Sequence, residues 1–451
     1  MNNSFWWQSL PKWESRPQIS SALEVDVAII GAGYTGLWSA HFLKQLNAEL
    51  SIAVFESEHV GFGASGRNGG WASALWPVSL TKIAKQFDSP TAHNFQFLLN
   101  QLVAEFMQTL TELNLDAEQI KAGTLNLARS ASQLQRIQQE KAQYSGFGFD
   151  DQDYQLITNL SDLPAATNVL AGLFSPHCAA INPAKLVRSL AEHVENLGVQ
   201  IFENSKVTKI SPKSLNVNEF AVSTKQIVIA TEGYSHSLLP RSTAPIHSLM
   251  FITDPIPADL LDQLRIPKGL TFSDARNLVI YGQRTATNQI AFGGRGAPYR
   301  FGSRTGAAVE IHKPAFQYLQ NTLIQMLPEL TTYAAEPSHV WGGPIGVSRD
   351  WQPSVSFNPA TGIARAGNYV GDGVTASYLA GKTLADLMTS NTTNLTAQPW
   401  VNHNSKKWEA EPLRYALINA ARIAISSADK LEQRTKGETI FSKILWRLLK
   451  S

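Results

Sequence analysis

The stretch Asp26-Val-Ala-Ile-Ile-Gly31-Ala-Gly33-Tyr-Thr-Gly36, followed by Val54-Phe-Glu56, decides the fold. Val25 to Ile30 is an apolar run with β-branched residues and reads as a buried parallel strand. Gly31 makes a tight turn, Gly33 lets the backbone approach a pyrophosphate, and Gly36 lets the next helix pack on the sheet. The helix predicted over Leu37–Leu46 directs its N-terminal amides at that diphosphate. Glu56 follows about twenty residues after the last glycine, where an acid hydrogen-bonds a ribose hydroxyl. Glycine-rich turns alone are common. The order strand, glycines, helix, strand and acid points to an adenine dinucleotide.

Bulk properties frame that unit. A chain of 451 residues predicts more than one core. Hydrophobic residues at 43% against charged residues at 16% suit a large enzyme with much buried surface and exclude a disordered chain. A net charge of +2 gives no case for a nucleic-acid partner, which calls for a concentrated basic face. The one cysteine, Cys178, excludes an intramolecular disulfide framework and a cysteine-rich metal centre, and no metal is expected. Cys178 reads as a small buried residue rather than a reactive thiol. The N-terminus lacks the basic and apolar regions of a signal peptide, and no stretch approaches the roughly twenty apolar residues that span a bilayer. A cytoplasmic location is the expectation.

Along the chain, residues 1–24 read as a leader over the first domain. A discontinuous dinucleotide-binding domain takes residues 25–75, 180–240 and 360–390. Its later parts are a helix over Ala184–Asn196, a strand Gln226–Ala230 ending in Thr231-Glu232-Gly233, and a helix over Ala376–Met388. Residues 76–179 and 241–359 make a helical and antiparallel-sheet substrate domain. Phe95, Leu98, Leu99, Leu102, Phe106 and Leu110 recur at helical spacing, and Gly123–Ala128 reads as a strand of a second sheet. Further β-rich runs are Ile246–Ile252, Asn277–Gln283, Gln289–Gly294 and His339–Gly342, with a hairpin turn at Thr285–Asn288. Residues 391–451 form a helical extension. The fold class is therefore α/β: a Rossmann-like domain with a second, mainly antiparallel β domain.

With these pieces in place the chain resembles the D-amino-acid oxidase family of FAD-dependent oxidoreductases over roughly residues 25–390, and the γ-glutamylputrescine oxidase group within it. The segments that carry the resemblance are Gly61-Phe-Gly-Ala-Ser65-Gly66-Arg67-Asn68-Gly69-Gly70, Ala230-Thr231-Glu232-Gly233, Trp341-Gly342-Gly343 and Gly371-Asp372-Gly373-Val374. The resemblance implies FAD rather than NAD. Gly31, Gly33 and Gly36 would hold the diphosphate and Glu56 the ribose. Ser65, Gly66, Arg67, Asn68 and Gly69 would lie along the diphosphate and flavin, with Val207 at the adenine and Thr231 at the strand end. Gly371, Asp372, Gly373 and Val374 would place amides near the pyrimidine edge of the ring, where they stabilise negative charge on reduction.

Five glycines between Gly61 and Gly70 also leave room for a planar ring, against the alternative of a mobile surface loop. Arg67 has its own alternative as a solvated cation. No His or Cys lies in Gly61–Trp76 or Gly367–Ala376, so the FAD is expected to be non-covalent. The acid Glu232, inside a familiar Ala-Thr-Gly pattern, has no role assigned by the sequence.

The implied reaction is oxidation of a C–N bond of an amine or amino acid by hydride transfer to flavin. Oxygen is the expected acceptor, giving hydrogen peroxide. The alternatives are a dehydrogenase of the same fold that reduces a quinone or a protein, a flavin-containing binding protein without turnover, and an NAD-dependent reductase. Tyr281, Arg295 and Trp341 are the substrate-contact candidates from the β domain, with Arg349-Asp350-Trp351 just beyond. Arg295 suits a carboxylate and the aromatics a water-excluding lid; the alternatives are a solvated strand end and core packing. Asp372 suits a substrate ammonium, or else caps the helix that follows it. At the C-terminus a helix is expected to run to Ile425. Ile440–Lys450 reads as a short basic amphipathic helix that docks on the protein itself or touches an anionic membrane weakly.

Overall fold

The computed structural model describes residues 4–12, 14–306 and 311–435. Among them the strands form two eight-stranded sheets and a two-stranded ribbon. The first sheet runs Ser354–Asn358, Ile363–Gly367, Phe220–Ile229, Leu23–Ile30, Ile52–Phe55, Gln200–Phe202, with the hairpin Val207–Ser211/Ser214–Val217 attached to Phe220–Ile229. Leu23–Ile30 pairs in parallel with both neighbours, Val27 opposite Gln226 on one side and Ile52 on the other. The apolar run there is continuous because both faces are covered. Val27 and Ile29 enter a core with the helices Tyr34–Leu46 and Gly373–Met388, while Ala28 and Ile30 enter a separate one with Phe55, Val207 and Ile229. The two helices lie close: a Cβ on Gly381 would come within 2.7 Å of Trp38 Cβ.

The second sheet runs His339–Val347, Ala244–Ile252, Ile290–Gly294, Ile280–Arg284, Thr271–Asp274, Thr124–Ala128, Ala171–Ser175, Gln155–Ile157. Its pairs are antiparallel except Thr124–Ala128 with Thr271–Asp274. The expected hairpin at Thr285–Asn288 joins two of its central strands. The helix Lys313–Met326 covers one face through Phe316, Leu319 and Leu323. Trp71–Ser73, directly after the second glycine loop, pairs with Cys178–Ala180.

Three features differ from the sequence reading. Ser354–Asn358, assigned to the substrate domain, pairs with Ile363–Gly367 in the first sheet; the turn at 359–362 is too short to carry the chain elsewhere. The C-terminal helix runs from Leu413 to Thr435, beyond Ile425. Tertiary contacts carry it on: Asp429 accepts from the amides of Asn277 (2.7 Å) and Leu278 (2.9 Å), and Glu432 pairs with Arg136 at 2.5 Å. The leader touches both halves of the molecule. Arg16 pairs with Glu195 at 2.7 Å beside the first sheet, whereas Trp6 packs edge-on against Trp341 of the second. The basic segment Ile440–Lys450 lies outside the described residues. Among those residues no helix is long and apolar enough to cross a membrane.

Candidate active site

The first glycine turn sits at the C-terminal ends of the parallel strands. Gly31 adopts φ +101°, and a Cβ there would meet the Ala230 carbonyl oxygen at 2.7 Å. A Cβ on Gly36 would overlap the Gly31 carbonyl oxygen, so the helix Tyr34–Leu46 packs on the turn only because position 36 has no side chain. Gly33 is the N-cap of that helix. Ser65 reaches in from the second loop, its Oγ accepting the Tyr34 amide at 2.9 Å. Glu56 accepts from the Ala32 amide at 2.9 Å and the Glu58 amide at 3.0 Å, and burial pushes its carboxyl up. The Glu56 carbonyl in turn accepts from Ser205 N–H, two residues before Val207, which is buried. Thr231 ends the neighbouring strand, its hydroxyl 2.9 Å from that of Ser235.

Two helix starts at this end lack side-chain caps. Ser79, Asp88, Ser130 and Asn182 each cap their helices with a side-chain oxygen. The helices beginning after Gly33 and Asp372 have no bond from their own N-cap residue and no acid in the first turn, although Ser65 takes the Tyr34 amide of the former. Helix starts without a cap leave N–H groups and the positive dipole end available to an anion. Together with the glycine turn and Glu56, this fits a dinucleotide: one uncapped start for the diphosphate, the other for the electron-rich edge of a flavin. Asp372 therefore occupies the N-cap position without capping.

The second glycine loop is internally braced. Asn68 Nδ2 donates to the carbonyls of Ala64 (3.1 Å) and Ser65 (3.3 Å), and Asn68 Oδ1 accepts the Gly70 amide at 2.7 Å. Gly66 lies under Trp7, and a Cβ on Gly69 would meet the Tyr281 ring at 2.6 Å. Arg67 is only 7% exposed, its guanidinium 4.5 Å from the Phe62 ring centroid and Nη1 donating to the Gly342 carbonyl at 3.2 Å. It is not a solvated loop cation.

Tyr281, Arg295 and Asp372 come together from the second sheet and the Gly371 turn. Tyr281 OH is 2.7 Å from Ser248 Oγ, and its ring meets Trp71 edge-on at 6.2 Å. Arg295 Nη2 donates to the Val370 carbonyl at 2.5 Å and the guanidinium lies 5.6 Å from the Trp351 ring centroid, so it is no solvated strand end. Burial pushes the Asp372 carboxyl up to about 6, and the charge of Arg295 pulls against that rise. Trp341 stands apart. At 3% exposure its indole N–H donates to the Arg67 carbonyl at 2.8 Å, so it braces the glycine loop and belongs to the core rather than to a lid.

Glu232 has the role that sequence reasoning missed. At φ +39° it turns its carboxylate between the two sheets and accepts from Asn368 N–H (2.6 Å), Gly346 N–H (3.1 Å) and Tyr369 N–H (3.2 Å). A Cβ on Gly367 would meet Oε2 at 2.7 Å, so the glycine makes room for the acid. Glu232 thus ties the edge strand His339–Val347 to the turn that leads into Gly371–Val374. An acid after an Ala-Thr strand end was the available signal; its partners lie more than a hundred residues away and were not.

Comparison with known proteins agrees with this geometry. The sequence profile of the DAO family, FAD dependent oxidoreductase, matches residues 26–387. The chain is 26% identical over 394 residues to gamma-glutamylputrescine oxidoreductase of Escherichia coli, covering 86% of this chain and 88% of that protein. It is 25% identical over 383 residues to the probable oxidoreductase OrdL of Haemophilus influenzae, covering 82% and 84%. Among solved structures, glycine oxidase from Geobacillus kaustophilus superposes with a TM-score of 0.71 at 20% identity, over 85% of this chain and all (100%) of that one. L-proline dehydrogenase from P. horikoshii gives 0.67 at 17% identity, over 83% and 96%. The chain belongs to the DAO family of FAD-dependent oxidoreductases, and FAD is its cofactor.

Proposed function

We propose that the protein oxidises a C–N bond of an amine or amino acid, using dissociable FAD and oxygen as acceptor. The observation that carries this reading is the meeting of Tyr281, Arg295 and Asp372 beside the uncapped start of the helix Gly373–Met388. The similarity to a gamma-glutamylputrescine oxidoreductase, a glycine oxidase and an L-proline dehydrogenase supports amine chemistry.

When bound, the flavin supplies the two-electron chemistry. The chain contributes placement and electrostatics. Arg295 is held by Val370 and is near both Asp372 and Tyr281, so it offers its remaining donors to a carboxylate. Asp372 is ionised above about pH 6 and then attracts a substrate ammonium, or accepts the proton that an amine must lose before oxidation. Tyr281 and Trp71 present aromatic surface that excludes water from the reacting carbon. The amides at the start of Gly373–Met388 would stabilise negative charge on a reduced flavin held there. The residues that would hold FAD are Gly31, Gly33, Gly36, Glu56, Val207 and Thr231 at the adenosine diphosphate. Ser65, Gly66, Arg67, Asn68, Gly69, Gly371, Asp372, Gly373 and Val374 would line the ring.

An anaerobic bleaching screen of the yellow protein against γ-glutamyl polyamines, N-methyl amino acids and simple amino acids tests this reading. Oxygen consumption and peroxide are then measured with any compound that bleaches it. Bleaching without peroxide would assign a quinone or protein acceptor. No bleaching by any amine would overturn the proposal.

A further inference from the structure

The second glycine loop is held from outside by three hydrogen bonds to three consecutive carbonyls. Gly66 C=O accepts from the Ser4 hydroxyl at 2.7 Å, Arg67 C=O from the Trp341 indole N–H at 2.8 Å, and Asn68 C=O from the Trp6 indole N–H at 2.9 Å. Two of the donors belong to the leader and one to the edge strand of the second sheet. All are buried: Ser4 is 0% exposed, Trp6 2% and Trp341 3%. The two indoles also pack edge to face, with ring centroids 6.1 Å apart. Trp7 covers the loop from the same helix, close to where a Cβ on Gly61 or Gly66 would project.

Two of these three peptides are engaged at both ends: the amides of Arg67 and Asn68, which share peptide units with the Gly66 and Arg67 carbonyls, both donate to Ala64 C=O. A peptide whose carbonyl and amide are both bonded cannot flip without breaking buried hydrogen bonds. The loop therefore keeps one orientation before any ligand arrives, and the ordering that a glycine-rich segment would otherwise undergo on binding is already done.

We propose that Ser4 and Trp6 are positioning residues for the flavin. The N-terminal helix Phe5–Gln8 and its cap act, with Trp341, as a three-point clamp that presets the loop Gly61–Gly70 for the isoalloxazine ring. The leader thereby becomes a working part of the cofactor site although it precedes the nucleotide-binding unit in sequence. This inference rests on the reading that this loop lies along the flavin. It predicts that loosening the clamp converts a preformed loop into one that must order as FAD binds.

Trp6→Phe keeps an aromatic ring, smaller than the indole, and removes the N–H, and Ser4→Ala removes one hydroxyl; Ser4→Thr retains it. Apoprotein of each is titrated with FAD, and the visible circular dichroism of the bound flavin and the apoprotein melting temperature are recorded. Each single variant should weaken FAD binding roughly tenfold, equivalent to about 1.4 kcal/mol, and the pair by more. Their flavin dichroism should change, and Ser4→Thr should behave as wild type. A packing role alone would lower the melting temperature and leave FAD affinity within about twofold of wild type, which overturns the clamp. Asn68→Ala, which cuts the loop's own bracing, separates the two readings. If it weakens FAD while the Trp6 and Ser4 variants do not, the loop reading stands and the clamp falls; if none of them does, both fall.

Discussion

Replacing Glu232 with glutamine keeps the shape of the side chain and removes its titration. In the folded protein burial pushes this carboxyl up to about 7, against the pull of the amides of Asn368, Gly346 and Tyr369. In the unfolded chain it titrates near 4.5. The native state thus binds the proton more tightly than the unfolded state does. The contribution of Glu232 to stability is full below pH 4.5 and is lost as pH rises toward 7. At about 1.4 kcal/mol per pH unit, the gap between the two values amounts to roughly 3 kcal/mol. The assay is urea unfolding of the FAD-saturated wild type and Glu232→Gln at pH 5 and pH 8. Wild type should gain roughly 2 to 3 kcal/mol over the variant on going to the lower pH. Equal differences at both pH values would refute the reasoning. A wild type that loses ground on acidification would show the three amides outweighing burial, since a carboxylate with several backbone donors is held ionised.

Gly36→Ala places a Cβ on the Gly31 carbonyl oxygen, so the purified variant should carry little or no flavin, read as the ratio of visible to ultraviolet absorbance. Asp372→Asn removes a carboxyl that ionises near pH 6; activity of the wild type should rise through that pH, and the variant's rate profile should lose that inflection. Arg295→Ala should raise KM for a carboxylate-bearing amine by about 1.5–3 kcal/mol of lost binding while leaving FAD affinity near wild type; an unchanged KM would remove the assignment. Cys178 is fully buried, receives the Thr271 hydroxyl at 3.3 Å, and has its thiol pushed up to about 12. A thiol reagent should therefore leave it unmodified in the native protein and label it after unfolding.

What the sequence determined by itself follows local rules. A continuous Val/Ile run, three glycines at fixed spacing and an acid at the next strand end specify a βαβ unit, because strand, turn and helix start are all set within about thirty residues. The five glycines of Gly61–Gly70 and the Gly371–Val374 turn were legible for the same reason, since a chain that must bend tightly or approach a ring closely needs positions without Cβ. The tertiary structure alone decided the fates of the polar and aromatic side chains. In the sequence Trp341 read as a substrate-contact aromatic or core and Arg67 as a flavin-loop residue or a solvated cation, and the fold buried both and joined them across 274 residues. Glu232 found its amides more than a hundred residues downstream, and Ser4 and Trp6 each reached carbonyls 62 residues away. Such partners are chosen when sheets and helices pack, and a buried donor or acceptor must then bond to whatever group the packing brings beside it.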